Sequence, residues 1–412
     1  MKDRMQNLTI SDYLFLAALV FWMCAYFCYE RTFLAIYLER YVWYINFLTL
    51  TTLIAAEIMR QKHGLWSLAG FAVVAFCSFA AMRAGTNVVM IMVLFVYVGR
   101  RTDFRITAFV SLIVIALLTI SIIGLSQIGL LPNHTPTGER TRQYLGFRYP
   151  LYPAQCVFMI TCLWSYLRGI RISFAEIALL FAINLAIYYA TDSRLSFFLS
   201  IGLLFVVMVL KLLSFSKHFP NWTEGFFNLK PAGIILSACF ILCAAISIAF
   251  TAAYDPSNDF IQNLNTSLGG RLQYGYKGLT EYGIPWAGQF VDTNGNGLSP
   301  DGTRNIPSTG YFYIDCLYVL VLVRYGFVFF VAFVGSLTAA CWYAWKSKQG
   351  FMLIALIFIA LHCVIDDLSL YIFFNPFLIL CGVALTKLLE QHNSKKEKSE
   401  LAEIDSKLIE AS

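Results

Sequence analysis

Residues 106–130, ITAFVSLIVIALLTISIIGLSQIGL, form a stretch of 25 residues without a charged side chain. A run of about 20 apolar residues is long enough to cross the hydrocarbon core of a bilayer as one α-helix. Comparable runs recur along the 412-residue chain, of which 59% is hydrophobic and 13% charged. Soluble domains carry a charged share of roughly 25%. The chain is therefore predicted to be an all-α polytopic membrane protein.

About twelve apolar runs are predicted to span the membrane. They are residues 12–28, 41–59, 65–82, 87–99, 106–130, 151–167, 173–190, 196–213, 231–252, 313–345, 351–365 and 370–388. The fourth run is short, and the tenth is long enough for a surface helix plus a span. The first run lacks a small-residue cleavage site at its end, so we interpret it as a retained span.

The distribution of Lys and Arg orients these spans. With the N-terminus inside, the cytoplasmic segments carry 19 of these cations and the opposite segments carry 11. The positive-inside rule then predicts that both termini are cytoplasmic. The predicted parts of the chain are transmembrane helices 1–9 in residues 1–252, a large extracytoplasmic loop in 253–311, the C-terminal transmembrane helices in 312–389 and a cytoplasmic tail in 390–412. The net charge of +6 reflects this topology and not nucleic-acid binding.

The large loop is predicted to be partly helical. A helix is expected near residues 268–282, with Asn265 or Ser267 as its N-cap and Gly283 within its stop signal. Tyr274 in this helix and Trp286 after it are candidates for stacking on sugar rings. The alternative for these aromatic residues is a place at the membrane interface, where such side chains are common.

The cations of the predicted outer face are nearly all arginines. They comprise ten arginines and one lysine, against seven arginines and twelve lysines on the cytoplasmic side. Topology does not distinguish the two residue types, whereas the planar guanidinium fork binds phosphate in a bidentate manner. The candidates for binding a pyrophosphate are Arg83, Arg140, Arg142, Arg194, Arg271 and Arg324. The alternative is pairing with neighbouring acids, which we expect for Arg31 and Arg40.

A general base is expected among the outward-facing carboxyl and imidazole groups. The candidates are Asp192, Asp315, His362, Asp366 and Asp367. His362 and Asp366 are four residues apart, so one helical face would let the carboxylate orient the imidazole. The alternative is an ordinary polar helix end. The GxSxG, HExxH, P-loop and dinucleotide fingerprints are absent from the sequence, which disfavours hydrolase, zinc-protease and ATPase functions.

One stretch of the loop imitates a calcium site. Residues 292–297, DTNGNG, match the first half of an EF-hand loop, but Thr303 stands where that loop needs a bidentate glutamate. We interpret the stretch as turn-forming sequence. No metal and no other cofactor is predicted.

Several sequence features have counterparts in one family. They are Thr191-Asp-Ser-Arg194 at the end of a span, Gly270-Arg271-Leu-Gln-Tyr274 and Pro285-Trp-Ala-Gly288 in the large loop, and a late Asn375-Pro-Phe segment. With the layout of ten to twelve spans, these features resemble the Wzy-type polysaccharide polymerases, relatives of the O-antigen ligases. The layout covers nearly the whole chain, while each motif is short. The ligases' loop histidine has no clear counterpart in residues 310–315, which favours a polymerase.

The resemblance implies a metal-independent glycosyltransferase of the bacterial cell membrane. Such an enzyme polymerises undecaprenyl-pyrophosphate-linked oligosaccharides into capsule, exopolysaccharide or O-antigen, and its implied partners are a chain-length regulator and a flippase. The implied roles are pyrophosphate binding for Arg194 and Arg271 with support from Arg83, charge stabilisation by Arg271, and a base at Asp315 or His362. The alternatives are a flippase or other transporter of the same lipid-linked units, and a ligase of the same superfamily.

Overall fold

The computed structural model describes Arg4, Gln6 and residues 8–60, 64–135, 142–303 and 310–411, with the backbone alone for 65–66 and 395–411. These residues form an all-helical fold, about 75% helix, without strands. The helices of the first half are α1 (Ile10–Arg31), α2 (Ala35–Leu38), α3 (Val42–Ile58), α4 (Leu65–Arg83), α5 (Asn87–Val98), α6 (Phe104–Gln127), α7 (Leu151–Arg168), α8 (Phe174–Thr191) and α9 (Arg194–Leu213).

The second half of the chain continues the bundle. Its helices are α10 (Phe219–Asn228), α11 (Lys230–Ser237), α12 (Cys239–Ala252), α13 (Asp259–Ser267), α14 (Arg271–Tyr282), α15 (Leu317–Leu320), α16 (Phe327–Lys346), α17 (Gly350–His362) and α18 (Phe377–Ala411). A short π-helical segment, Val321–Tyr325, follows α15. Helices adjacent in sequence pack together as α4 on α5 and α6 on α7, while α16 packs on α18.

Local sequence explains where these helices begin and end. Thr9 caps α1 in a capping box with Asp12, and Ser173 caps α8 in the same way with Glu176. Such pairs satisfy backbone N–H groups that the first turn of a helix leaves free. Asp192 ends α8 in the left-handed conformation, which Asp adopts more readily than most residues. Helix α8 therefore ends within the Thr191–Arg194 motif.

Within the residues that the structure describes, six helical stretches are long and apolar enough to cross a membrane: α1, Ala35–Ile58, α6, α8, α9 and α16. The pair α11 and α12 passes the same test as one span bent by 49°. Large apolar side chains are exposed along these stretches, such as Leu117 at 60% and Phe198 at 64%. Such surfaces need lipid around them, and the fold is therefore compatible with a multi-pass membrane protein. Two predicted spans, residues 65–82 and 351–365, correspond to shorter apolar helices. These helices are α4, counted from Ser67, and α17.

In their described part, residues 253–311, which were predicted to form the large loop, contain the two helices α13 and α14. The helix expected near residues 268–282 is present as α14, which starts at Arg271 after Gly270 in the left-handed region. Asn265 is not the N-cap residue of α14, because Gly270 directly precedes the helix. The side-chain oxygen of Asn265 nevertheless accepts the N–H of Gln273, in the first turn of α14, at 3.1 Å. Helix α13 was not predicted. Together α13 and α14 bring Arg271 back to the helix bundle.

A close helix contact positions α5 against α18. Gly382 of α18 faces the backbone of α5, and a Cβ atom at this position would lie 2.1 Å from the Val96 carbonyl oxygen. Backbone atoms cannot move aside as a flexible side chain can. The contact therefore requires glycine at residue 382.

We expect Gly382→Ala to destabilise the protein by about 1–3 kcal/mol, the usual cost of overpacking. The matched control is Gly335→Ala in α16, where nothing lies within 4 Å of an added Cβ and alanine gains up to about 1 kcal/mol of helix propensity. The measurement is the unfolding temperature of both variants in detergent. An unchanged or raised unfolding temperature for Gly382→Ala would contradict the contact.

Candidate functional site

Three aspartates meet at one end of the bundle, and we call them the aspartate cluster: Asp315, Asp366 and Asp367. Asp315 lies just before α15, and the other two lie in the turn that follows α17. A hydrogen bond of 3.0 Å from the Leu317 N–H to the Cys363 carbonyl joins the two segments. Asp366 and Asp367 are only 6% and 5% exposed. The fold thus brings Asp315 to the consecutive pair Asp366 and Asp367, which lies in a distant part of the sequence.

Arg271 is the cation that faces this cluster. As the first residue of α14 it donates from Nε to the Ile365 carbonyl and from Nη1 to the Leu268 carbonyl, both at 2.7 Å. Its Nε lies 3.8 Å from Oδ2 of Asp315. The side chain remains 24% exposed. The guanidinium is therefore held in place while keeping access to solvent or to a substrate.

The environment of Asp315 tunes its proton affinity. Burial raises the pKa of Asp315 to about 7, with Arg271 opposing the shift and the charges of Asp366 and Asp367 adding to it. A hydrogen bond with the Tyr311 side chain also opposes the shift. Burial likewise raises the pKa of Asp366 and of Asp367. A carboxyl group whose pKa lies near neutrality is suited to exchange protons with a substrate at physiological pH.

Tyrosines line the aspartate cluster. The Tyr313 hydroxyl donates to Oδ2 of Asp367 at 2.6 Å. The ring of Tyr274, a predicted sugar-stacking residue, lies 5.0 Å from that of Tyr311. Burial raises the pKa of Tyr149, and the nearby carboxylate of Asp315 raises it further. Phenol rings combine an apolar face with a hydroxyl group, a combination suited to contacts with sugars. Sequence reasoning identified only Tyr274 among these four.

Arg31 lies beside the cluster, which its sequence context did not indicate. Its guanidinium stands 4.3 Å over the Tyr371 ring and donates from Nη1 to the Tyr152 hydroxyl at 3.0 Å. The neighbouring Glu30 carboxylate is 4.0 Å away. The charge of Arg31 lowers the pKa of Asp366 and Asp367, against the larger effect of burial. Arg31 is thus a second cation of the site, only 8% exposed.

Arg142 and Arg194 meet at a different residue. Nε of Arg194 lies 3.4 Å from a carboxylate oxygen of Asp192, and Nη2 of Arg142 donates to the Asp192 carbonyl at 3.4 Å. Arg194 is 58% exposed. Both arginines therefore lie at the junction of α8 and α9. Arg142 is also close enough to Tyr149 to oppose the rise in its pKa, which links this junction to the aspartate cluster.

Three arginine candidates remain, namely Arg83, Arg140 and Arg324. Arg324 donates from Nε and Nη2 to the Ala84 carbonyl, at 3.4 and 3.2 Å. The side chain of Arg83, adjacent to Ala84 in the chain, is exposed. These two cations are thus associated with the end of α4, whereas Arg271 is anchored to the turn after α17. Arg140 lies outside the described residues.

Trp286, the second predicted sugar-stacking residue, packs at the start of α16. Its ring stands edge-on to that of Phe327 at 5.7 Å, and its carbonyl accepts the Val328 N–H at 3.4 Å. The side chain is 75% exposed beside a helix that is long enough to span. This position matches the interfacial alternative considered for the aromatic residues of the loop.

His362 is directed into the packed core. The residue is fully buried, its ring stacks on Phe158 at 5.2 Å, and its Nδ1 is 3.1 Å from the Ser369 hydroxyl. Asp366, the expected partner, instead accepts the Leu368 N–H at 2.9 Å. The structure therefore joins the imidazole to Ser369 and leaves Asp315 as the candidate base in contact with Arg271.

Among the described side chains, no group of three or more His, Cys, Asp and Glu has the arrangement of a metal site. Comparison of the chain with protein-family models, with curated proteins and with solved structures finds no match. What the chain can do chemically is therefore inferred from the geometry of the aspartate cluster and its arginines. That geometry combines a proton acceptor with cations able to hold an anion.

Proposed function

We propose that this protein is a membrane glycosyltransferase that polymerises undecaprenyl-pyrophosphate-linked oligosaccharides at the end of the bundle that carries the aspartate cluster. The observation that carries the proposal is the pairing of Asp315, whose pKa is raised to about 7, with the anchored guanidinium of Arg271. A glycosyl transfer of this kind needs both a base for the attacking hydroxyl and positive charge at the departing pyrophosphate.

The proposed reaction uses the site as follows. A sugar hydroxyl of the acceptor unit attacks the anomeric carbon of the donor and loses its proton to the Asp315 carboxylate. The bond from that carbon to the pyrophosphate oxygen breaks, and undecaprenyl pyrophosphate leaves with the bonding electron pair. Arg271 stabilises the negative charge that develops on the leaving group. Arg142 and Arg194 bind the pyrophosphate from the α8–α9 junction, and Tyr274 stacks on a sugar.

The proposed topology has twelve spans in the bacterial cell membrane with both termini in the cytoplasm. In this topology the helices α4, α5, α7 and α17 and the first part of α18 add to the six spans and the bent α11–α12 pair. The excess of Lys and Arg on the predicted inner segments supports this orientation. In this topology the aspartate cluster and α14 face the outside, and a chain-length regulator and a flippase are the expected partners.

The second candidate function is transport of the same lipid-linked units. The observation in its favour is the 49° bend between α11 and α12, since broken helices commonly line the substrate sites of transporters. A transporter with inverted repeats would carry such breaks at matching positions in both halves. One such bent pair is found in the described part of the chain. The ordered α14 that carries Arg271 favours the polymerase.

Purified full-length protein supplied with lipid-linked repeat units in lipid vesicles tests the proposal. We expect a ladder of polymers of increasing length on a gel, together with release of undecaprenyl pyrophosphate. Transport predicts a different result, in which the unit crosses the bilayer and keeps its original length. Transfer of a finished glycan to a separate acceptor, without a ladder, would instead identify a ligase.

A further inference from the structure

A basic pocket lies at the opposite end of α7 from the aspartate cluster. Tyr152 near the start of α7 contacts Arg31 beside that cluster, and the helix has 18 residues, which extend over about 27 Å. The pocket at its far end has a volume of about 230 Å³, and its walls include Arg105, Arg168 and Arg171. We call it the arginine pocket. Drug-sized ligands occupy pockets of about 300–1,000 Å³, so this one suits a smaller group.

Cations from separate segments are anchored to the walls of the arginine pocket. Arg105 near the start of α6 donates from Nη2 to the Leu167 carbonyl at 2.5 Å, and its guanidinium lies 6.0 Å from the centre of the Tyr166 ring. Lys211 near the end of α9 donates to the Ile170 carbonyl at 3.1 Å. The positive-inside rule places cations in the connections between spans, but it does not require three segments to direct them to one pocket.

The acids described around the arginine pocket are paired with other groups. Asp103 binds Arg4 at 2.6 Å, and its other carboxylate oxygen accepts the backbone N–H of Arg105 at 2.8 Å. Glu176 binds Arg168, with 2.7 Å between Oε1 and Nε. The cations at the pocket that form no ion pair with another described residue are Arg105, Arg171 and Lys211. The pocket therefore has a positive excess that favours an anion.

Exposed aromatic rings adjoin the pocket. Phe215 follows α9 and is 69% exposed, and the ammonium of Lys211 lies 5.6 Å from the centre of its ring. Phe174, the first residue of α8, is 46% exposed and stacks on Phe215 at 6.3 Å. Both rings lie at the ends of helices that are long and apolar enough to span a membrane. A hydrocarbon chain next to the bound anion would contact these rings, whereas a free anion would not.

We propose that the arginine pocket binds the phosphate group of an anionic phospholipid, whose acyl chains lie against Phe174 and Phe215. The guanidinium fork suits phosphate oxygens, and basic pockets at the cytoplasmic ends of transmembrane helices favour anionic headgroups. In the topology proposed above, this end of α7 faces the cytoplasm. The cationic group of a zwitterionic headgroup is repelled by the excess charge of the pocket. The site is independent of the proposed polymerase activity.

The test uses full-length protein purified in detergent and native mass spectrometry in a phosphate-free buffer. The probes are phosphatidylglycerol and phosphatidylcholine with identical acyl chains, and inorganic phosphate serves as a competitor. We expect phosphatidylglycerol to bind more tightly than phosphatidylcholine and to stay bound at an equal concentration of inorganic phosphate. Arg171→Gln should weaken phosphatidylglycerol binding roughly fivefold, and the double variant with Arg105→Gln should weaken it roughly 25-fold.

The matched control is Lys230→Gln, which removes the same charge from an exposed lysine at the start of α11 that does not line the pocket. It should leave the affinity for phosphatidylglycerol unchanged. Equal binding of the two lipids, or equal losses in Arg171→Gln and Lys230→Gln, would overturn the proposal. Displacement of the lipid by an equal concentration of inorganic phosphate would overturn the lipid as the source of the phosphate. If the double variant fails to fold, the exposed Arg171→Gln variant decides the matter alone.

Discussion

Replacing Arg271 with alanine is expected to lower the rate of polymerisation by roughly 100- to 1,000-fold, the usual cost of removing a donor that stabilises developing negative charge. Arg271 is held by the carbonyls of Ile365 and Leu268 and faces Asp315. In the proposed reaction, its loss leaves the departing pyrophosphate without this cation. The measurement is the initial rate at which purified protein lengthens lipid-linked units, followed on a gel.

The matched control for this variant is Lys277→Ala. Lys277 lies in the same helix but is paired with Glu281 at 3.8 Å and is 45% exposed, so its removal should change the rate little. Arg271→Lys should recover only part of the activity, because an ammonium group keeps the charge without the planar fork. A complete ladder from folded Arg271→Ala at the wild-type rate would refute the assigned role.

Replacing Asp315 with asparagine is expected to lower the rate by roughly 100- to 10,000-fold, as for other general bases. The wild-type rate should increase as the pH rises through about 7, because the carboxylate of Asp315 accepts a proton only after it has lost its own. Any residual activity of the variant should lack this rise. The measurement is the initial rate between pH 5.5 and 8.5, values chosen to bracket that pKa.

The control for Asp315→Asn is Asp292→Asn, an exposed aspartate in residues 253–311. It should keep both the rate and the pH profile of the wild type. The dependence of the rate on pH in Arg271→Ala is an independent check on the role of Asp315. Because Arg271 holds the pKa of Asp315 down, its removal should shift the rise in rate towards higher pH. A wild-type pH profile in Asp315→Asn would assign the base to another group.

The all-helical fold and the two residues that we propose as central to the site were accessible from the sequence for the same physical reason. Charged side chains are costly in apolar surroundings, so the few that occur near predicted spans stand out. Arg271 and Asp315 stood out in this way, and the structure brings them within 3.8 Å. The periodic pattern of the loop also indicated α14. Its start was predicted three residues early, because Gly270 and not Asn265 or Ser267 precedes its first turn.

The rest of the site depends on contacts between distant segments, which spacing in the sequence does not encode. Arg31 follows Glu30 directly, so a local ion pair was the simplest expectation. The structure contains that pair, with 4.0 Å between Nη2 of Arg31 and a carboxylate oxygen of Glu30, and it also places the guanidinium over Tyr371, a contact that the sequence did not indicate. His362 and Asp366 had a suitable spacing, but the imidazole bonds to Ser369, which is seven residues away. The hydrogen bond from Tyr313 to Asp367 crosses 54 positions.

The anchoring of Arg271 also limits how the loop can be exchanged in protein engineering. The guanidinium is held by the Ile365 carbonyl, a partner outside residues 253–311. A loop grafted alone onto another bundle would leave Nε of Arg271 without this acceptor and would leave Asp315 behind. A functional chimera would therefore have to transfer the 362–367 turn and the 311–316 segment together with the loop. The residues that the proposed chemistry needs from this part of the chain therefore lie in two separate stretches, 253–316 and 362–367.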